Sequence, residues 1–147
     1  MQHQEAETSK PSIGQILDQH HREIEDACLA ILGAGFADQP RDLVKCWADI
    51  EHQLADHMAA EEHLVIPAYQ RVDPENAQEL RDQHARLRAQ AFEIGVAIQL
   101  HTIRCEQLQQ FVAELRAHAR NEEASLYRWA DRHLAEEQDL RLRAWLR

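Results

Sequence analysis

The chain has 147 residues with an apolar fraction of 44%, which suits one continuous hydrophobic core and leaves little room for a second domain. Its formal charge of −10 is spread along the chain, which disfavours phosphate backbones and anionic membrane surfaces, so neither nucleic acid nor a membrane is an expected partner. No apolar run nears the ~20 residues that cross a bilayer. Residues 1–11 read as a polar tail without a secretory pattern, and Cys28, Cys46 and Cys105 form neither a disulfide framework nor a zinc-ribbon spacing. A soluble, cytoplasmic protein with reduced thiols is expected.

Four glycines and four prolines separate long stretches of Ala, Leu, Glu, Gln and Arg, so the chain reads as all-α. Ser12, with Gln15 three places on, caps a first helix that Gly33 and Gly35 end. A second helix starts near Pro40 and runs to about Arg71, with Pro67 kinking its last turns. Pro74 opens a third, reaching about Leu100. The turn before the fourth, near residues 101–104, lacks Gly and Pro and rests on length, because one helix over residues 74–133 would be ~90 Å long. A short fifth helix over residues 136–147 carries Leu140 and Trp145, placed to pack on the bundle or on a second subunit. The fold expected is an up-down-up-down four-helix bundle over residues 12–133, followed by a C-terminal amphipathic helix within residues 134–147.

Steps of three and four residues trace the buried stripe of each helix. The first stripe is Ile13, Leu17, Ile24 and Ile31, passing through the pair His20 and His21. The second runs Leu43, Trp47, Ile50, Leu54, His57, Glu61, Leu64 and Ala68. The third runs Ala77, Leu80, His84, Leu87, Ala91, Ile94 and Ile98, and the fourth Leu108, Phe111, Leu115, His118, Glu122, Ser125 and Trp129. Every stripe carries histidine, and two also carry glutamate. A buried carboxylate costs several kcal/mol unless neutralised, paired or metal-bound. Residues four apart share a helix face, so His57 with Glu61 and His118 with Glu122 can converge on metal ions, with His84 at a similar depth.

Other candidates fall away by position. Glu62 and Glu123 point about 100° from the stripe glutamates and read as supporting or surface groups. His52, His63, His101 and His133 lack a carboxylate partner at this depth, and Cys28 reads as a small core hydrophobe. Tyr69, two turns beyond Glu61, reads as a structural aromatic, with an approach to the metals as the alternative.

These residues resemble the hemerythrin-like HHE cation-binding family, which carries a lone His, an HxxxE, a lone His and a second HxxxE on successive helices. The likeness spans roughly residues 12–133. Its most specific stretch is His57-Met58-Ala59-Ala60-Glu61-Glu62 with Leu64-Val65-Ile66-Pro67 after it; His118 to Glu123 repeats the motif, with Arg128 where Pro is often found. An aliphatic residue three places after the family's first histidine selects His21, since Ile24 fills that place. Leu80 stands where oxygen-carrying hemerythrins place a further histidine, so the likeness is to four-His, two-Glu bacterial proteins rather than to oxygen carriers.

The resemblance implies two iron ions, oxo- or hydroxo-bridged, on His21, His57, Glu61, His84, His118 and Glu122, with Glu61 and Glu122 bridging and one position open on each ion. Imidazole and carboxylate donors with open positions suit iron better than a closed structural zinc site. The function expected is binding or reaction of O2, NO or peroxide in oxidative or nitrosative stress, in a catalase-like or peroxidase-like form if enzymatic. The alternative is non-enzymatic holding, donation or sensing of iron, with an iron-acceptor protein or a second copy of the chain as partner.

Overall fold

The computed structural model describes residues 10–35 and 40–146. Most of the expected polar tail and the first interhelical turn, around Phe36, lie outside the described residues. Among these residues the chain is all-α, with no strand. The helices are α1 (Ile13–Ala34), α2 (Pro40–Leu64), α3 (Ile66–Tyr69), α4 (Pro74–Gln99), α5 (Cys105–Ala124), α6 (Leu126–His133) and α7 (Glu136–Trp145). None is long and apolar enough to cross a membrane.

The expected caps form. Ser12 Oγ accepts from Gln15 N at 3.1 Å while Gln15 Oε1 accepts from Ser12 N at 2.8 Å. Gly35 leaves α1 at φ 75°, a conformation that lacks a Cβ penalty only in glycine. Asp73 accepts from Asn76 N ahead of Pro74. The turn between α4 and α5 is real, and it reverses without Gly because His101 takes the left-handed conformation at φ 58°.

α1 packs on α2 and α5, and α4 packs on the same two, while the diagonal pair α2 and α5 meets through side chains such as Trp47 and Phe111 in the interior; this is a square bundle of four long helices. Its interior holds two apolar cores, one toward each end. One gathers Ile24, Cys28, Trp47, Leu54, Leu87 and Leu115; the other gathers Leu17, Val65, Tyr69, Leu80, Leu126 and Leu142. Each long helix passes from one core to the other through a layer of polar residues, for example Leu17-to-Ile24 across His21 and Leu80-to-Leu87 across His84.

Two expected helices are each broken once. The second ends at Leu64 and resumes at Ile66 around Val65, because Pro67 has no N–H to offer the preceding turn. The fourth breaks at Ser125 (φ −125°, ψ −80°), where the Ser125 hydroxyl donates to the Asn121 carbonyl at 2.6 Å, competing with the backbone for that acceptor. Asn76 Nδ2 ties both breaks together, donating to Tyr69 Oη at 2.8 Å and Ser125 Oγ at 2.9 Å. The breaks advance the helix phase, which corrects the expected stripes. Val65, Ile66 and Tyr69 are buried in place of Leu64 and Ala68, and Leu126, Tyr127 and Ala130 in place of Ser125 and Trp129. The C-terminal helix is corrected likewise: Leu142 is its buried anchor while Leu140 faces solvent. Trp145 lies against His63 and donates to Asp56 Oδ1, fastening α7 to α2.

Candidate metal centre

Between the two cores, α1 presents His21, α2 presents His57 and Glu61, α4 presents His84, and α5 presents His118 and Glu122. All six are at most 3% exposed, and they are the buried polar residues of the described core. The structure therefore brings every expected site residue into one layer. It separates His21 from His20, which is half-buried outside the layer with its ring 5.7 Å from that of His57. His52, His63, His101 and His133 are exposed.

The histidines face inward through Nε2. His21 and His57 have these atoms 3.0 Å apart, and His84 and His118 have ring centroids 4.8 Å apart. The glutamates lie between the two pairs: Glu61 Oε1 is 2.8 Å from His57 Nε2 and 3.8 Å from His84 Nε2, while Glu122 reaches His118 Nε2 at 2.7 Å, His21 Nε2 at 3.1 Å and His84 Nε2 at 3.6 Å. Despite these approaches, both Glu61 oxygens, Glu122 Oε2, His84 Nε2 and His118 Nε2 make no hydrogen bond. Buried polar atoms left this way are destabilising, and a cation satisfies them all at once. His21, Glu61, His118 and Glu122 each offer a ligand atom within 4.8 Å of the others, so the donor set fits a metal ion.

Supporting residues differ between the two histidine pairs. His84 Nδ1–H donates to Glu62 Oε1 at 3.0 Å, and Arg88 grips Glu62 with two hydrogen bonds of 2.8 and 2.6 Å. His118 Nδ1–H donates to Gln83 Oε1 at 2.7 Å. Such partners fix the tautomer and leave the Nε2 lone pair to the centre. His21 Nδ1 and His57 Nδ1 have no partner. Glu62 is thus a supporting group, whereas Glu123 is exposed beside Asp18. Gln83 carries no sequence signal beyond preceding His84.

The electrostatics of the metal-free layer follow from burial. It holds His57 well below the ordinary histidine value, helped by the neighbouring His21, and lowers His118 too. Burial and the charge of Glu122 push Glu61 well up; in Glu122 the same burial is outweighed by His118, Glu61 and His21, which hold it well down. For Glu62, burial is outweighed by His84 and Arg88, which bring it down to about 2. Cys28 is a buried core thiol pushed up to about 12 by burial and Glu25.

Tyr127 is the residue that sequence reasoning missed. Its hydroxyl sits inside the layer, 3.2 Å from His21 Nε2, 3.3 Å from His57 Nε2 and 3.2 Å from Glu122 Oε1. It follows Glu122 by five residues, out of phase with a continuous helix, and turns inward because the helix breaks at Ser125. Tyr69 resolves to its structural reading: its hydroxyl accepts from Asn76 and its ring lies 5.6 Å from that of Trp129.

A square helical bundle whose central layer aims buried imidazoles and carboxylates at one another, with their bonding capacity unfilled, defines a metal-binding four-helix protein. A family model described as the hemerythrin HHE cation binding domain matches residues 12–130. The chain belongs to that family and binds metal ions. No curated protein and no solved structure matches it.

Proposed function

We propose that the chain is a non-haem di-iron protein that binds or reacts with O2, NO or peroxide in the cytoplasm, as part of an oxidative or nitrosative stress response. The observation that carries this reading is the division of the layer into two histidine pairs, His21/His57 and His84/His118, on either side of two buried glutamates. Four imidazoles and two carboxylates supply two ions with few enough donors to leave room for a small molecule, and imidazole with carboxylate suits iron. When bound, iron supplies one-electron chemistry and a place for a diatomic or peroxide ligand. The protein's own part is to hold the Nε2 atoms inward through Glu62 and Gln83, and to limit water with the apolar cores above and below.

Aerobically purified protein is expected to contain two irons per chain, with the near-ultraviolet absorption of a bridged diferric pair; an iron-free, colourless bundle refutes the reading. Rapid peroxide consumption lost in His57→Ala marks catalysis. A second reading, iron holding and donation to an acceptor protein, is favoured by the unpartnered Nδ1 atoms of His21 and His57, which leave one pair less firmly oriented than the other. Stoichiometric transfer of iron to an apo-acceptor, without peroxide turnover, distinguishes it.

A further inference from the structure

Four electron-rich atoms meet at the α1/α2 side of the layer: His21 Nε2, His57 Nε2, Glu122 Oε1 and Tyr127 Oη. Five of the separations among them are 3.0, 3.1, 3.2, 3.2 and 3.3 Å. The phenol has one proton, so it can donate to only one of its three neighbours, and each neutral imidazole has a single N–H to share among the contacts at its ring. Atoms bound about 2.0–2.2 Å from one ion stand about 3 Å apart, so the hydroxyl occupies the place of a ligand atom beside the two imidazoles. Its ring is fixed there, 3% exposed and stacked at 24° to the His21 ring.

From this geometry we propose that Tyr127 is an oxygen ligand of the ion held by His21 and His57, bound as phenolate to iron(III). The proposal rests on the di-iron reading and deepens it. Coordination exchanges the O–H bond for an O–iron bond and releases one proton to solvent. The two sides of the centre are then unequal. The His21/His57 side is filled by the chain's own phenol, and a small molecule meets the centre on the His84/His118 side. No tyrosine reaches that side, and a surface cleft of about 200 Å³ there is lined by Gln83, Leu87 and His118.

The chain has two tyrosines, Tyr69 and Tyr127, so the test is a matter of assignment. Aerobically iron-loaded protein is expected to show a visible phenolate-to-iron(III) charge-transfer band, with phenolate ring vibrations enhanced in resonance Raman spectra excited within it. Tyr127→Phe is expected to abolish both while retaining helical circular dichroism. Tyr69→Phe, with Tyr127 its sole tyrosine, is expected to keep both. Loaded wild-type protein without the band, or a band that survives in Tyr127→Phe, overturns the proposal whether or not any variant folds poorly. A chain that takes up no iron fails at metal analysis, which marks the failure as that of the di-iron reading itself.

Discussion

Glu61 and Glu122 are fully buried, and in the metal-free chain burial and the charge of Glu122 both work against an ionised Glu61. Because Glu61 has no hydrogen bond of its own, removing it relieves the metal-free fold while destroying the centre. Glu61→Met is therefore expected to stabilise the metal-free protein by about 1–4 kcal/mol in urea denaturation and to abolish iron uptake; a loss of stability shows that the carboxylate is satisfied without metal. Glu62 acts one step out. Deleting it in Glu62→Ala frees the His84 ring and is expected to lower iron affinity by about 10–100-fold in a competitive chelator titration. The same variant has a pH signature. Since Glu62 titrates lower in the folded chain than the ordinary 4.5, its contribution to stability is full above about 4.5 and is lost as pH falls toward about 2. The stability difference between metal-free wild type and Glu62→Ala is expected to shrink over that window; a difference flat with pH removes the ion-pair account. At this scale the sequence was eloquent about the six layer positions, because a carboxylate or imidazole on an apolar stripe has few explanations. It was silent about Tyr127, an aromatic whose place on the stripe depends on a helix break.

The helices carry two glycines whose substitution is expected to have opposite effects. In α4, a Cβ on Gly95 would meet Glu51 Oε1 at 2.6 Å and Trp47 ring atoms at 3.4 Å. The carboxylate is the free end of a flexible side chain and can swing away, while the tryptophan contact is ordinary. Gly95→Ala is expected to gain about 0.5–1 kcal/mol from helix propensity. In α1, Gly14 N donates to Asp131 Oδ1 at 2.8 Å, and a Cβ there would meet Asp131 Oδ2 at 2.7 Å and its Cγ at 3.2 Å. That carboxylate cannot withdraw without giving up its bond to the start of α1, so Gly14→Ala is expected to destabilise. Thermal denaturation of the two variants side by side checks both signs. Helix starts were legible from Ser12, Pro40 and Pro74, since capping is local chemistry. The breaks were half legible: Pro67 advertised one, and Ser125 gave no comparable sign because a serine departs from the helix only where its surroundings reward the alternative hydrogen bond.

At the scale of the molecule, a polar layer divides two apolar cores, and all four long helices cross it. A ligand that satisfies the layer therefore ties both halves together. Iron(II) added anaerobically is expected to raise the unfolding free energy by about 4 kcal/mol at free metal a thousandfold above its dissociation constant, and a chelator to reverse the gain. An unchanged melting temperature on loading contradicts a buried centre. The bundle also explains the role of the last helix: Leu142 enters the core beyond the layer and Trp145 holds on to Asp56, so α7 closes the end where α3 and α6 gather.

What the sequence determined alone was the helical content, the four apolar stripes and the six polar positions along them, because helix periodicity and the expense of burying charge are properties of short stretches of chain. The tertiary structure decided the rest. Only packing could bring Gln83 onto His118, turn the stripe after Glu61 and Glu122, and carry the Tyr127 hydroxyl in between two histidines. Each of these depends on contacts between helices distant in sequence, such as Asn76 with Ser125 and Asp131 with Gly14, which no local pattern encodes.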